Sequence, residues 1–225
     1  MSTKTTARFV GAFFIIAMVT SLLGGVWLES IIGAPDYLVE VSAQRTQVVL
    51  SVLLELINGL CVLAIAAMLF PLLRRDDEGL ALGYVTLRLI EAMLIVAAVI
   101  SPLALIALSQ EYVGAGAADI SHLLASGTVF LAARTVLAGQ LLGIFFGLAA
   151  LVFFYLLYRS QLVPRFISVW GLIAAVSVLT WNLLETFGIH TSFGMILALP
   201  IILNEIFLGT WLIVKGFNSS ALAKG

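Results

Sequence analysis

The chain has 225 residues, of which 62% are hydrophobic and 10% charged, and its formal net charge at neutral pH is −1. Soluble domains average about 45–50% apolar and about 25% charged residues, so this composition excludes an ordinary soluble fold and fits a chain whose solvent is lipid. The charge balance argues against nucleic acid as a partner. The single cysteine, Cys61, excludes an intrachain disulfide and a thiolate metal site.

The first apolar run covers residues 9–28 and follows Lys4 and Arg8. It is long enough to span a bilayer, and no clear small-x-small cleavage site follows it, so it reads as a retained first span. Glu29 comes next, and Pro35 with Asp36 can start a new helix. The second run, residues 46–73, holds Glu55 and Asn58 inside it and Pro71 near its end. A polar hairpin over 74–79 leads to the third run, residues 80–108, with Arg88 and Glu91 one helical turn apart near its middle and Tyr84 one turn earlier. Pro102 removes a backbone donor near the far end of this run and predicts a kink.

Further along, Asp119, His122 and Ser126 share a face opposite Ile120, Leu123 and Leu124, which predicts a short interfacial helix. The fourth run, residues 130–158, exceeds one upright span and must tilt or protrude. It carries Arg134, Gln140 and a small-residue stripe of Gly139, Gly143 and Gly147. The fifth run, residues 166–187, places Ser177, Trp181 and Glu185 on one face and also holds Asn182. The sixth, residues 193–214, contains Pro200, Asn204 and Glu205. The expected fold is therefore an all-α polytopic membrane bundle over residues 1–225, with about six transmembrane helices and short interfacial helices in the two longer outer loops.

With six spans, Lys4, Arg8, Arg74, Arg75, Arg159, Arg165, Lys215 and Lys224 fall on one side, and Arg45 alone falls in a loop on the other. Basic loops stay in the cytoplasm, so both termini are expected there, in a multi-pass protein of the cell membrane.

Charged side chains at the bilayer centre cost about 2.5–3.5 kcal/mol each on insertion scales, so they turn inward and find partners. Glu91 and Glu205 fall near mid-membrane, and Glu55, Arg134 and Glu185 nearer the outer face. The residues predict a cavity open outward or to the outer leaflet, floored by Arg88, Glu91, Asn204 and Glu205. Glutamates outnumber arginines among these groups, which predicts that at least one of Glu55, Glu185 and Glu205 is neutral at pH 7 or meets a cation or a basic ligand. Glu91 and Glu205 are the candidate acid–base pair. Glu55, Asn58, Tyr84, Arg88, Arg134, Trp181, Asn182, Glu185 and Asn204 are candidate ligand contacts. His122 and His190 show no metal spacing, and neither a metal nor another cofactor is expected.

Three segments, over residues 68–96, 155–173 and 203–217, resemble a bacterial membrane family catalogued as domain of unknown function 4386. The most specific parts are the R-x-x-E pair at Arg88 and Glu91, the Y-R-S-x-x-x-P-R link over 158–165, and Glu205 before W-L-x-V-K-G. The resemblance implies a membrane bundle of six or so spans, no established activity, and a glycine at the position of Asn204.

Three readings follow from the residues. One is a pocket for a lipophilic small molecule with carboxylate acid–base chemistry. The second is a proton- or ion-coupled transporter, acting as a homodimer through Gly139, Gly143 and Gly147. The third is a structural or partner subunit whose polar core only fixes helix register. A nucleophile triad, a metal motif and a phosphate loop are all missing, which disfavours hydrolase and kinase chemistry.

Overall fold

The computed structural model describes residues 2–115, 120–189 and 194–218. The described residues are almost wholly helical: α1 (Thr3–Ile32), α2 (Tyr37–Ala43), α3 (Arg45–Leu73), α4 (Glu78–Ala98), α5 (Ile100–Gly114), α6 (Ser121–Arg134), a π-helical segment (Thr135–Leu141), α7 (Leu142–Ser160), α8 (Arg165–Thr186) and α9 (Gly194–Val214). They make six continuous stretches long and apolar enough to cross a membrane, namely Thr3–Ile32, Arg45–Leu73, Glu78–Gly114, Ser121–Ser160, Arg165–Thr186 and Ile196–Val214. The chain is an integral membrane protein with an all-α, polytopic fold.

The helices close into a ring in chain order. Helix α1 packs on α3, α3 on α4, α4 on α7, α7 on α8, α8 on α9, and α9 returns to α1. Small residues set the closest approaches. A Cβ on Gly11 would meet Ile213 Cγ1 at 2.9 Å and collide with the carbonyl of Gly209, so α1 and α9 touch backbone to backbone. Gly147 faces Leu179, and Gly143 faces the Asn182 amide, both on α8. The contact made by Gly143 and Gly147 is thus filled from inside the chain, and Gly139 stands apart from it.

At the end of the ring that carries Arg74, Arg159 and Lys215, the links are tied together. Asp77 caps α4 by accepting from the Leu80 amide at 2.9 Å. Arg159 pairs with Asp76 and Asp77, each at 3.2 Å, and joins the α3–α4 link to the end of α7. Asn218 donates to the carbonyls of Leu162 and Gln161, at 2.9 and 2.7 Å, which docks the segment after α9 on the α7–α8 link. The main hydrophobic core fills the bundle beneath this end. At its centre Tyr84 stacks on Phe153 at 5.1 Å, and Phe153 on Phe14 at 5.9 Å, so rings from α4, α7 and α1 meet across the middle.

A second, smaller core lies at the opposite end, built from Leu28, Ile31 and Ile32 of α1, Leu38 and Val41 of α2, Val48 of α3, and Leu105 and Ile106 of α5. Pro102 explains the separation of α4 from α5. It cannot donate to the Ala98 carbonyl, and α4 ends at that residue. The two expected outer interfacial helices fare differently. In the first of these loops a short helix forms, α2, and it packs on α5 and α1. His122 and Ser126 belong instead to α6, which runs straight into the fourth span, and Asp119 lies outside the described residues. The overlong fourth run belongs to a continuous helical stretch of 40 residues, Ser121–Ser160, whose first part, α6, packs on α5.

Candidate functional site

Between the two cores lie two cavities that share a wall. The inner one, about 370 Å³, is lined by residues from all six spans, among them Phe14, Asn58, Arg88, Phe146, Trp181 and Glu205. The outer one, about 590 Å³, lies between α1, α3, α4 and the α6–π segment, with Glu29, Glu55 and Arg134 on its walls. Ser21, Asn58, Ala138, Gly139 and Leu142 line both. The junction is therefore made by Ala138 and Gly139 of the π segment and Leu142 of α7, together with Ser21 of α1 and Asn58 of α3. Asn58 makes no hydrogen bond among the described residues, so its amide is available to both spaces.

On α4 the spacing of Arg88 and Glu91 places both on the inward face. One guanidinium nitrogen of Arg88 donates to both carboxylate oxygens of Glu91, at 2.9 and 3.2 Å, and both residues are 3% exposed. Arg88 also lies over two rings, Tyr84 and Phe146, each 5.5 Å from the guanidinium carbon. Desolvating a guanidinium is costly, and a carboxylate plus two ring faces offsets much of that cost. Its Nε finds no hydrogen-bond partner among the described residues. Glu205 reaches the same cavity from α9. It is half-buried and forms no ion pair or hydrogen bond among the described residues. Two carboxylates thus share the inner cavity with one guanidinium.

The outer cavity repeats this ratio. Arg134, 4% exposed, donates to Glu55 at 2.6 and 3.3 Å and to Glu29 at 3.1 Å. The triad ties α6 to α3 and α1. Glu55 is mostly covered, whereas the Glu29 side chain is 62% exposed and sits at the rim.

The structure brings Glu91, Glu205, Arg88, Asn58, Trp181 and Asn182 to the inner cavity, and Glu55, Arg134 and Asn58 to the outer one. Three candidates line neither. Tyr84 is fully buried in the aromatic stack. Glu185 accepts from the Trp181 indole at 3.3 Å. Asn204 is fully buried and donates to the Ile167 carbonyl of α8 at 3.1 Å, a tie that a glycine could not make. His190 lies outside the described residues.

Sequence reasoning missed Glu29, Phe146 and the π segment. Glu29 looks like an ordinary loop acid, and nothing in the chain links position 29 to position 134. Phe146 is one apolar residue in a long apolar run. Gly139 is visible as part of a stripe, but nothing in the stripe shows that it lies within a π segment at the junction of two cavities.

A family model described as Domain of unknown function (DUF4386) matches residues 9–216. No curated protein matches the chain, and no solved structure does.

Proposed function

The chain belongs to the DUF4386 family, and on that footing we propose that it holds a lipophilic small molecule in the inner cavity, with Glu205 and Glu91 as its acid–base groups. The observation that carries this reading is the unpaired carboxylate of Glu205 in a cavity of about 370 Å³ to which all six spans contribute. That volume lies in the range of small-molecule sites, which are mostly apolar with a few convergent polar groups. Glu91 is already ion-paired with Arg88, so of the two acid–base groups Glu205 is the one that exchanges a proton with a bound molecule directly. A purely structural polar core would have its charges paired and its interior filled. Here a carboxylate is unpaired beside a void, which supports a ligand site over a register device.

Access in this reading is one-sided. The two cavities adjoin toward the rim at Glu29, and the ring stack of Phe14, Phe153 and Tyr84 fills the bundle at the other end. A transporter in this conformation would be open to one face only. With the basic end in the cytoplasm, the rim faces the outside of the cell membrane.

The test uses a neutral probe, 4-phenylbutanol, on the full chain in lipid nanodiscs. Saturable binding by calorimetry, above that of discs without protein, is expected. The variant Ala138→Phe, which puts a ring in the shared wall, is expected to lose it. Absence of saturable binding to the native chain, or unchanged binding in the folded variant, would overturn the proposal.

A further inference from the structure

We infer that the inner cavity selects a lipophilic amine, bound as its ammonium ion with the head at Glu205 and the apolar body along Phe14, Met18 and Ile202. The inference rests on the pocket reading above and narrows it to one chemical class.

The first argument is charge. Arg88 commits a nitrogen to both oxygens of Glu91, and Glu205, whose charge shares the cavity with that pair, forms no ion pair or hydrogen bond of its own among the described residues. The outer cavity, through which a ligand would come, also sets two carboxylates, Glu29 and Glu55, against one guanidinium, Arg134. An organic cation therefore meets complementary charge at the rim and again at mid-bundle. A carboxylate or phosphate ligand would meet the wrong sign twice. Clefts with low-dielectric walls focus such fields and raise the local concentration of the matching ion.

The second argument is lining. The inner walls are mostly apolar: Phe14, Ala17, Met18, Val62, Ile65, Leu142, Val178 and Ile201 stand among them. A bare inorganic cation would lose its hydration there without enough oxygen ligands to replace it. No group of three or more His, Cys, Asp or Glu residues placed to hold a metal ion occurs among the described residues. A cation that carries its own hydrocarbon fits these walls. The third argument is the indole. Trp181 lines the cavity while its N–H is spent on Glu185, so what it offers a ligand is its ring, the preferred aromatic partner of an ammonium group.

The test compares three probes that share one body and differ only in the head: 4-phenylbutylamine, 4-phenylbutanol and 4-phenylbutyrate. Each is titrated into the full chain in nanodiscs of neutral lipid, with discs lacking protein as the blank. The amine is expected to bind about tenfold or more tighter than the alcohol, as for a hydrogen bond to a charged group, and the butyrate not to saturate. Glu205→Gln should abolish the preference for the amine over the alcohol. Glu205→Asp should keep part of the preference. Equal affinities of amine and alcohol on the native chain overturn the inference while leaving the pocket reading intact. So does an unchanged preference for the amine in Glu205→Gln. A preference for the butyrate overturns it and transfers recognition to Arg88. Failure of the alcohol to bind removes the pocket itself. The comparison of heads on the native chain stands whether or not the variants fold.

Discussion

Arg134 and Glu55 meet through two hydrogen bonds, of 2.6 and 3.3 Å, although 79 positions separate them in the chain. The guanidinium also takes in Glu29, so one side chain of α6 closes the outer cavity against both α3 and α1. Neither α6 nor the π segment packs extensively on α1, and the charged contact spans that gap.

Removing the arginine should therefore cost far more than removing its outer partner. Arg134→Gln leaves Glu55 mostly buried without its cation, a change that costs about 3–5 kcal/mol in buried pairs. Glu29→Gln removes a contact whose carboxylate is largely in solvent, worth no more than about 1 kcal/mol. Chemical denaturation of the purified chain in detergent, followed by tryptophan fluorescence, should rank the two variants in that order. Comparable losses would mean that the pair with Glu29 is the stronger one.

The Arg88–Glu91 pair predicts non-additivity. Either single change, Arg88→Met or Glu91→Leu, strands a partner in the bundle interior and should cost on the order of 3 kcal/mol. The double variant Arg88→Met with Glu91→Leu removes both charges and should be much closer to the native chain. A double-mutant cycle measures this directly. Losses that simply add would show that the two side chains are not coupled.

How much of this was legible in the chain can be argued from a few residues. The apolar runs, broken by Arg74–Glu78 and by Arg159–Arg165, located the spans because lipid tolerates no long polar interruption. Arg88 and Glu91 were readable as partners because helical geometry fixes residues three apart on one face. Arg134 was different. A lone arginine near the outer end of a span fits snorkelling to the interface equally well, and only the ring topology puts Glu29 and Glu55 within its reach. Asn204 shows the opposite failure. Its neighbour Glu205 points to the cavity, and one step around a helix is about a hundred degrees, so the adjacent amide faces α8.

That geometry makes Asn204 a useful control. Asn204→Ala removes the bond to the Ile167 carbonyl and should lower stability by about 1 kcal/mol. Asn204→Gly should cost about 1 kcal/mol more, from helix propensity. Neither should shift the affinity for 4-phenylbutanol, because Asn204 lines neither cavity. A change in affinity without a change in stability would place the amide in the site.

The glycines divide by what a methyl group would strike. Gly11→Ala drives a carbon into the backbone of Gly209 and should cost about 1–3 kcal/mol, as overpacking does. Gly83→Ala meets nothing within 4 Å on α4 and should stabilise that helix by about 0.5–1 kcal/mol. Thermal unfolding of the two variants in one detergent should move in opposite directions. A stabilising Gly11→Ala would mean that α1 and α9 can separate at no cost.

The proposed one-sided access can be mapped with thiols. The native Cys61 is buried but is best removed first, as Cys61→Ala. In that background Asn58→Cys, at the junction of the two cavities, should react readily with a membrane-impermeant methanethiosulfonate reagent added at the outer face of intact cells. Val62→Cys lies one helical turn further along α3 and lines only the inner cavity, so it should react more slowly. Ala150→Cys sits in the main core on α7, between Phe146 and Phe153 and with no exposure, and should not react at all. Inverted vesicles present the other face, and there none of the three should be labelled while Tyr84, Phe153 and Phe14 remain stacked. Labelling of Val62→Cys from both faces would show that the cavity opens alternately to each side. The second reading, a transporter, would then account for the carboxylates better than a pocket with a single mouth.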